Sequence, residues 1–271
     1  MALLCLAAMG RAMPARHGDL HERIVATSQA IEAAPGSASL LLERAELYRL
    51  HLAWDLALLD LTQAERLAPE LVEIEYTRAA LYSDMGWHEL ARKSVDLFLA
   101  ARPLESRGFG LSSRLHEESG KLRAAHADVS RKIELADPPQ PDDYLRRASL
   151  TTRAWPDDVD RALAELDAGV QRLGSIVSLQ LRAVRLLESA DRVDEALVRI
   201  ERMSAPSPRK ERWLAMRGDI LSRAGRDAAA RAAYRSARSA LAELRPAQRK
   251  TRAMLALEAH LTRCLSRSSK K

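Results

Sequence analysis

The stretch AALYSDMGWHELARKSVDLFLAARP, residues 79–103, decides the fold. It opens on Ala79 and Tyr82, turns at Gly86, resumes with His88, Ala91, Val95 and Phe98, and stops at Pro103. Small and apolar residues at helical spacing on both sides of a glycine predict two amphipathic helices joined by a tight turn. Working outward, the same landmarks return at a fixed interval. Pro35, Pro69 and Pro103 stand 34 residues apart, and so do Ala57, Ala91 and Ala125. Ala162, Ala196 and Ala230 repeat that spacing, after a step of 37 from Ala125 to Ala162.

Aligned on those alanines, the neighbouring units fall into register. One holds Ala45, Tyr48, Trp54, Ala57, Leu61, Ala64 and Pro69; another holds Gly218, Leu221, Gly225, Ala230, Tyr234 and Ala237. Phe98 departs from the pattern, since Ala64 and Ala237 fill its place elsewhere. The pattern resembles the tetratricopeptide repeat, whose unit is a helix–turn–helix of 34 residues. The resemblance implies an all-α protein, a right-handed α-solenoid of stacked units closed by a C-terminal capping helix.

Each residue type has a physical reason. Helix axes approach within ~8 Å only where the contact side chains are small, which places Ala45, Ala79 and Gly218 where the two helices of a unit meet. Ala57, Ala91, Ala196 and Ala230 serve where neighbouring helices cross; a large side chain there would overpack by ~1–3 kcal/mol. Tyr48, Tyr82, Tyr234, Leu187 and Leu221 fill the space between helices. Gly86, Gly120 and Gly225 supply positive φ at the turn, and proline ends the unit.

Six complete units span 38–71, 72–105, 106–139, about 140–176, 177–210 and 211–244. Residues 16–37 form a partial unit, with Gly18-Asp19 expected as a turn before its helix. Residues 245–267 form one capping helix with Pro246 in its first turn, Met254, Leu257 and Leu261 inward, and Arg249, Arg252, Arg263 and Arg267 outward. Residues 268–271 are tail. The fourth unit is irregular: Trp155-Pro156-Asp157-Asp158 lengthens its turn, either aspartate can cap the next helix, and Pro138-Pro139-Gln140-Pro141 stiffens its approach.

Composition agrees with this reading. Aromatics make up 4% of the 271 residues and charged residues 30%, so helix formers rather than β-branched or aromatic residues carry the core. The formal net charge of +6 is unevenly placed: residues 1–105 hold 10 Lys/Arg against 15 Asp/Glu, and residues 106–271 hold 33 against 22. A basic half fits an acidic partner, or else Arg that serves only as solvated helix surface. Residues 2–9 are wholly apolar and too short to span a bilayer. Residues 1–15 therefore read either as an export signal lacking its positive leader, cleaved near Ala15, or as the first helix of the array.

Chemistry-bearing motifs are missing from the sequence pattern. Gly120-Lys121-Leu122 does not continue as a phosphate-binding loop, and Gly108-Phe109-Gly110 follows no strand. Cys5 and Cys264 stand at opposite ends of the chain, with no metal-ligand spacing and no disulfide framework. The seven histidines are scattered; His17, Asp19 and His21 belong to the expected turn, and His116 takes a place held by Tyr in two other units. Asp157, Asp158 and Asp160, like Asp191, Asp194 and Glu195, stand at helix starts and complement the helix dipole. The sequence thus predicts no catalytic, cofactor or metal site.

Resemblance to the family places partner binding in a concave groove lined by the first helix of each unit. The groove positions hold Glu46, Arg49, Tyr76, Arg114, Arg146, Arg182, Arg185, Asp219 and Arg223. Arg recognises carboxylates through its forked donors, so the expected partner is an acidic peptide or protein segment along Arg114, Arg146, Arg182 and Arg185. The carboxylate clamp of some family members is not reproduced, since Leu42, Glu46, Tyr76 and Ala80 stand in its place. The alternative is nucleic-acid or anionic-surface binding by residues 204–271, which carry 17 Lys/Arg against 5 Asp/Glu.

Overall fold

The computed structural model describes residues 14–267, with side chains from Asp19 to Ser266. Cys5 and the apolar segment of the export reading, and the tail at 268–271, lie outside the described residues. The described chain is a succession of helices that forms two compact units, one ending at Leu135 and one beginning at Ala136.

In the first unit, α1 (Pro14–Ala33) packs on α2 (Ala38–Leu50), which pairs with α3 (Trp54–Leu67). Next come the pairs α4 (Glu73–Asp84) with α5 (His88–Ala101) and α6 (Ser106–Glu118) with α7 (Leu122–Leu135). Alternate helices α2, α4 and α6 also touch in turn, which is how helix pairs stack into an array. In the second unit α8 (Pro141–Ala154) pairs with α9 (Val159–Leu173), α10 (Val177–Ser189) with α11 (Val193–Ser204), and α12 (Glu211–Arg223) with α13 (Asp227–Ala242). A one-turn α14 (Pro246–Arg249) and α15 (Arg252–Arg267) follow, and α15 packs on α13. Six helix pairs thus run from α2 and α3 to α12 and α13 among the described residues.

Two expectations need correction. Gly18 and Asp19 lie within α1, which runs from Pro14 without a turn. One helical glycine costs about 1 kcal/mol against Ala, and the helix formers around it outweigh that. The capping helix is also not continuous: it breaks at Lys250-Thr251. The Thr251 hydroxyl donates to the Gln248 carbonyl at 2.9 Å, and the Thr251 carbonyl accepts from the amides of Met254 and Leu255. A local side-chain bond thus closes α14 while the new helix starts beside it.

The repeated alanines are core. Ala57, Ala91, Ala125, Ala162 and Ala196 have no exposed surface, and Ala230 has 2%. Larger residues are seated by glycine partners. A Cβ on Gly108 would lie 2.6 Å from Leu99 and 2.9 Å from the Phe98 ring. The bulk of Phe98 on α5 is therefore offset by a glycine on α6. On α9 and α10 the exchange runs the other way: Gly169 stands at the place equivalent to Phe98, and its Cβ would lie 2.9 Å from Leu179. Total volume at the crossing is kept while its owner changes.

The turn between paired helices is equally regular. Gly86, Gly120 and Gly225 have φ of 75°, 73° and 71°, and the equivalent places are held by Leu52 at 63° and Asp191 at 58°. A side chain in that region costs about 1–2 kcal/mol, and Leu52 is 70% exposed, so little packing offsets the strain. Leu52→Gly is expected to stabilise the protein by up to about 1 kcal/mol after the entropy glycine gains in the unfolded chain. Chemical denaturation measures it, and an unchanged or lowered midpoint contradicts the strain argument.

Polar bonds tie the helices of a pair at one recurring place. On α3, Asp60 receives Arg44 at 2.7 and 2.8 Å. On α7, Asp128 accepts from Ser112 at 2.7 Å and pairs with His116 at 2.7 Å, so His116 is packed inward as its place in the repeat implies. On α9, Glu165 accepts from Thr151 at 2.7 Å. The long turn of the fourth repeat is closed by its own residues. Asp158 caps α9 by accepting from the Arg161 amide at 3.0 Å, and the Arg161 guanidinium sits 3.8 Å from the Trp155 ring centre.

Candidate functional site

The first helices of the repeats carry the expected groove positions, and the two units present them differently. In the first unit a depression of about 400 Å³ is floored by Leu42, Leu47 and Leu71 and edged by Glu43, Glu46 and Glu73. Glu46 is tied to Arg49 at 2.6 and 2.8 Å, and Arg49 also donates to Asp84 of the next repeat. The guanidinium is thus shared by two carboxylates across a repeat boundary. Tyr76 packs on Phe98 with ring centres 5.1 Å apart and planes tilted by 51°, under the Arg107 guanidinium at 4.6 Å. Arg114 is exposed on α6, with no ion-pair partner among the described residues.

In the second unit a depression of about 430 Å³ lies between α8 and α10, lined by Leu145, Ser149, Ser178, Leu181, Arg182 and Arg185. Arg182 is half-buried and Arg185 exposed, and neither has an ion-pair partner among the described residues. Two cationic forks therefore stand beside an apolar floor and two hydroxyls. Arg146, on α8, is half-buried outside this lining, with its Nε shut away from solvent. Arg223 is engaged by Glu188 at 2.5 Å.

Several basic residues outside the groove hold neighbouring repeats in register. Arg192 reaches back to Asp160 at 2.5 Å while pairing with Glu195 at 2.7 Å, and Arg226 pairs with Asp194 in the equivalent arrangement one repeat on. The aspartates read as helix-start residues thus also receive an Arg from the following repeat. Arg226, acting through its hydrogen bond and charge, holds the Asp194 carboxyl below its ordinary range. These pairs lie at the surface and fix register more than they stabilise.

Asp219, expected in the groove, is engaged elsewhere. It accepts from the Tyr234 hydroxyl at 2.9 Å and from His260 Nε2 at 2.8 Å, with Cys264 Sγ 3.7 Å from that nitrogen. Burial, reinforced by the Asp219 carboxylate, pushes the Tyr234 phenol well above its usual pKa. The sequence reading missed this cluster because 41 residues separate Asp219 from His260. The available signal was His260 and Cys264 at i, i+4 on an amphipathic helix.

Comparison with known proteins follows the same lines. The model of the tetratricopeptide repeat-like domain family matches residues 152–257, from the end of α8 into α15. Among solved structures, a tetratricopeptide repeat protein from Parabacteroides merdae aligns over 93% of both chains at 17% identity, TM-score 0.51. The C-terminal part of a repeat-containing protein from Cytophaga hutchinsonii aligns over 89% of this chain and 95% of its own at 13% identity, TM-score 0.63. PilF of Pseudomonas aeruginosa aligns over 71% of this chain and 87% of its own at 18% identity, TM-score 0.55. No curated protein matches the chain in sequence. Residues 152–257 match that family, and the register, the paired helices and the aligned structures together show the tetratricopeptide-repeat fold.

Proposed function

We propose that the protein is a non-catalytic binding scaffold that takes an acidic peptide or protein segment between α8 and α10. The observation that carries this reading is the pair Arg182 and Arg185, without an ion-pair partner among the described residues, beside an apolar floor of Leu145 and Leu181. Elsewhere on the first helices, Arg49 and Arg223 already hold carboxylates of this chain. A ligand carboxylate at Arg182 or Arg185 displaces only water, and the floor adds burial of an aliphatic or aromatic neighbour. The acidic edge of the first-unit depression disfavours the same ligand there.

Selection from a random peptide library tests the specificity. Peptides retained by the wild type are expected to combine Asp or Glu with an apolar residue, and Arg182→Glu/Arg185→Glu should weaken them at least 100-fold. Equal retention by both proteins, or sequences without acidic enrichment, sinks the assignment.

A second reading rests on the exposed Arg212, Arg217, Arg235 and Arg238, which have no ion-pair partner among the described residues. They fit anionic-surface or nucleic-acid contact. Binding of that kind falls steeply with salt, and single-stranded nucleic acid also calls for stacking aromatics. Trp213 is half-buried and Tyr234 is 4% exposed, which favours the protein ligand. Among the described residues no helix is long and apolar enough to cross a membrane.

A further inference from the structure

The last repeat and the capping helix bring together three metal-ligating side chains of different chemistry. His260 and Cys264 stand one turn apart on α15, and Asp219 approaches from α12. One donor atom of each lies within 4.8 Å of the other two. Cys264 Sγ is 3.7 Å from His260 Nε2 and 3.8 Å from Nδ1, so the sulfur is equally near a metal held by either nitrogen. All three residues are half-buried, open enough for an ion to enter.

We propose that Asp219, His260 and Cys264 form a site for a divalent transition metal, zinc above all, that clamps α15 onto the last repeat. The donor set is one carboxylate oxygen, one imidazole nitrogen and one thiolate, the mixture that borderline-soft Zn²⁺ accepts and that Mg²⁺ and Ca²⁺ do not. Tetrahedral coordination at zinc bond lengths sets donor atoms about 3.3–3.6 Å apart. The sulfur–nitrogen distances are close to that already. The 2.8 Å contact between His260 and Asp219 has only to open slightly as the metal replaces the shared proton.

Asp219 is arranged for this exchange. Both hydrogen bonds fall on Oδ1, so the oxygen that turns from His260 to the ion is held in place by Tyr234, as outer-shell donors do in metal sites. Binding releases the Cys264 proton to solvent, leaves His260 a neutral imidazole with its proton on Nδ1 in place of Nε2, and leaves the fourth position to water. The consequence is mechanical. α15 is anchored by buried Met254 and Leu261, and a metal adds a cross-link between α12 and α15 that the unfolded chain does not hold preformed.

The test uses the full chain carrying Cys5→Ser, so that Cys264 is the remaining thiol, reduced and freed of metal with a chelator. Titration with Co²⁺ alone should show one ion per chain, a thiolate-to-cobalt charge-transfer band, and displacement by equimolar Zn²⁺. Cys264→Ser should abolish that band, and Asp219→Asn should weaken Co²⁺ binding at least tenfold. Zn²⁺ should raise the unfolding temperature of the parent but not of Cys264→Ser. Both substitutions are nearly isosteric, and far-UV helicity reports whether each variant folds; should Asp219→Asn not fold, Cys264→Ser decides alone. Absence of the charge-transfer band at tenfold excess Co²⁺, or equal stabilisation of parent and Cys264→Ser by Zn²⁺, overturns the proposal.

Discussion

Arg44→Met is expected to destabilise the first unit by about 3 kcal/mol, the lower end of the range for removing one partner of a buried ion pair. Arg44 donates twice to Asp60, once to Ser28 of α1 at 3.1 Å, and lies over the Tyr48 ring at 5.5 Å. One side chain on α2 therefore joins α1 and α3. The Asp60 side chain is 3% exposed and that of Arg44 19%. Asp60 cannot turn to solvent when Arg44 is lost, although the exposed end of Arg44 keeps the cost from the upper range.

One signature separates this from an ordinary packing defect. Adding Asp60→Leu should recover most of the loss, since an apolar pair replaces the ion pair at similar volume. Denaturation of the single and double variants measures this. A deficit that the second substitution does not rescue would mean that the pair is incidental.

Gly218→Ala is the second large effect, and it reverses the sign that helix propensity gives. Alanine gains about 1 kcal/mol over glycine in a helix, yet the added Cβ would lie 2.5 Å from Tyr234 Cδ1 and Cε1. That ring cannot swing away: its hydroxyl bonds Asp219, and it packs with Leu221, Ala237, Met254 and Leu261. We expect a net loss of about 2 kcal/mol from overpacking. Gly110→Ala on α6 is the matched control. There the new Cβ would meet only the flexible Lys132 side chain, at 3.3 Å and beyond, so a gain of up to about 1 kcal/mol is expected. Thermal denaturation of the two variants should move in opposite directions; movement in the same direction would remove the distinction between seat and spacer glycines.

How much of this was legible in the chain follows from the range of each interaction. The helix pairs were readable because small-residue contacts recur every 34 residues, and a repeated local rule shows in one sequence. The turn was readable where glycine marks it, at Gly86, Gly120 and Gly225, and hidden where Leu52 and Asp191 adopt the same backbone. Phe98 looked like an exception until Gly108, ten residues on and one helix away, was seen to make room for it.

The groove positions were readable as an inventory of arginines but not as a division of labour. Arg49 and Arg223 spend their charge on carboxylates 35 residues away in sequence, whereas Arg182 and Arg185 do not. A pairing across a repeat boundary depends on side-chain reach, which periodicity does not encode. Of the Asp219, His260 and Cys264 cluster only the His260–Cys264 spacing showed in the sequence, for a related reason. The cluster joins a repeat to a capping helix that lies outside the repeating pattern.

The most direct measurement is cross-linked capture from the native source, comparing the wild type with Arg182→Glu/Arg185→Glu. The account predicts a protein with an acidic segment that the wild type retains and the variant loses, at unchanged helicity and stability of the bait. The compartment of that protein would also decide between the export and first-helix readings of residues 1–15. Capture of the same protein by both baits would contradict the basic groove and move the binding surface off α8 and α10.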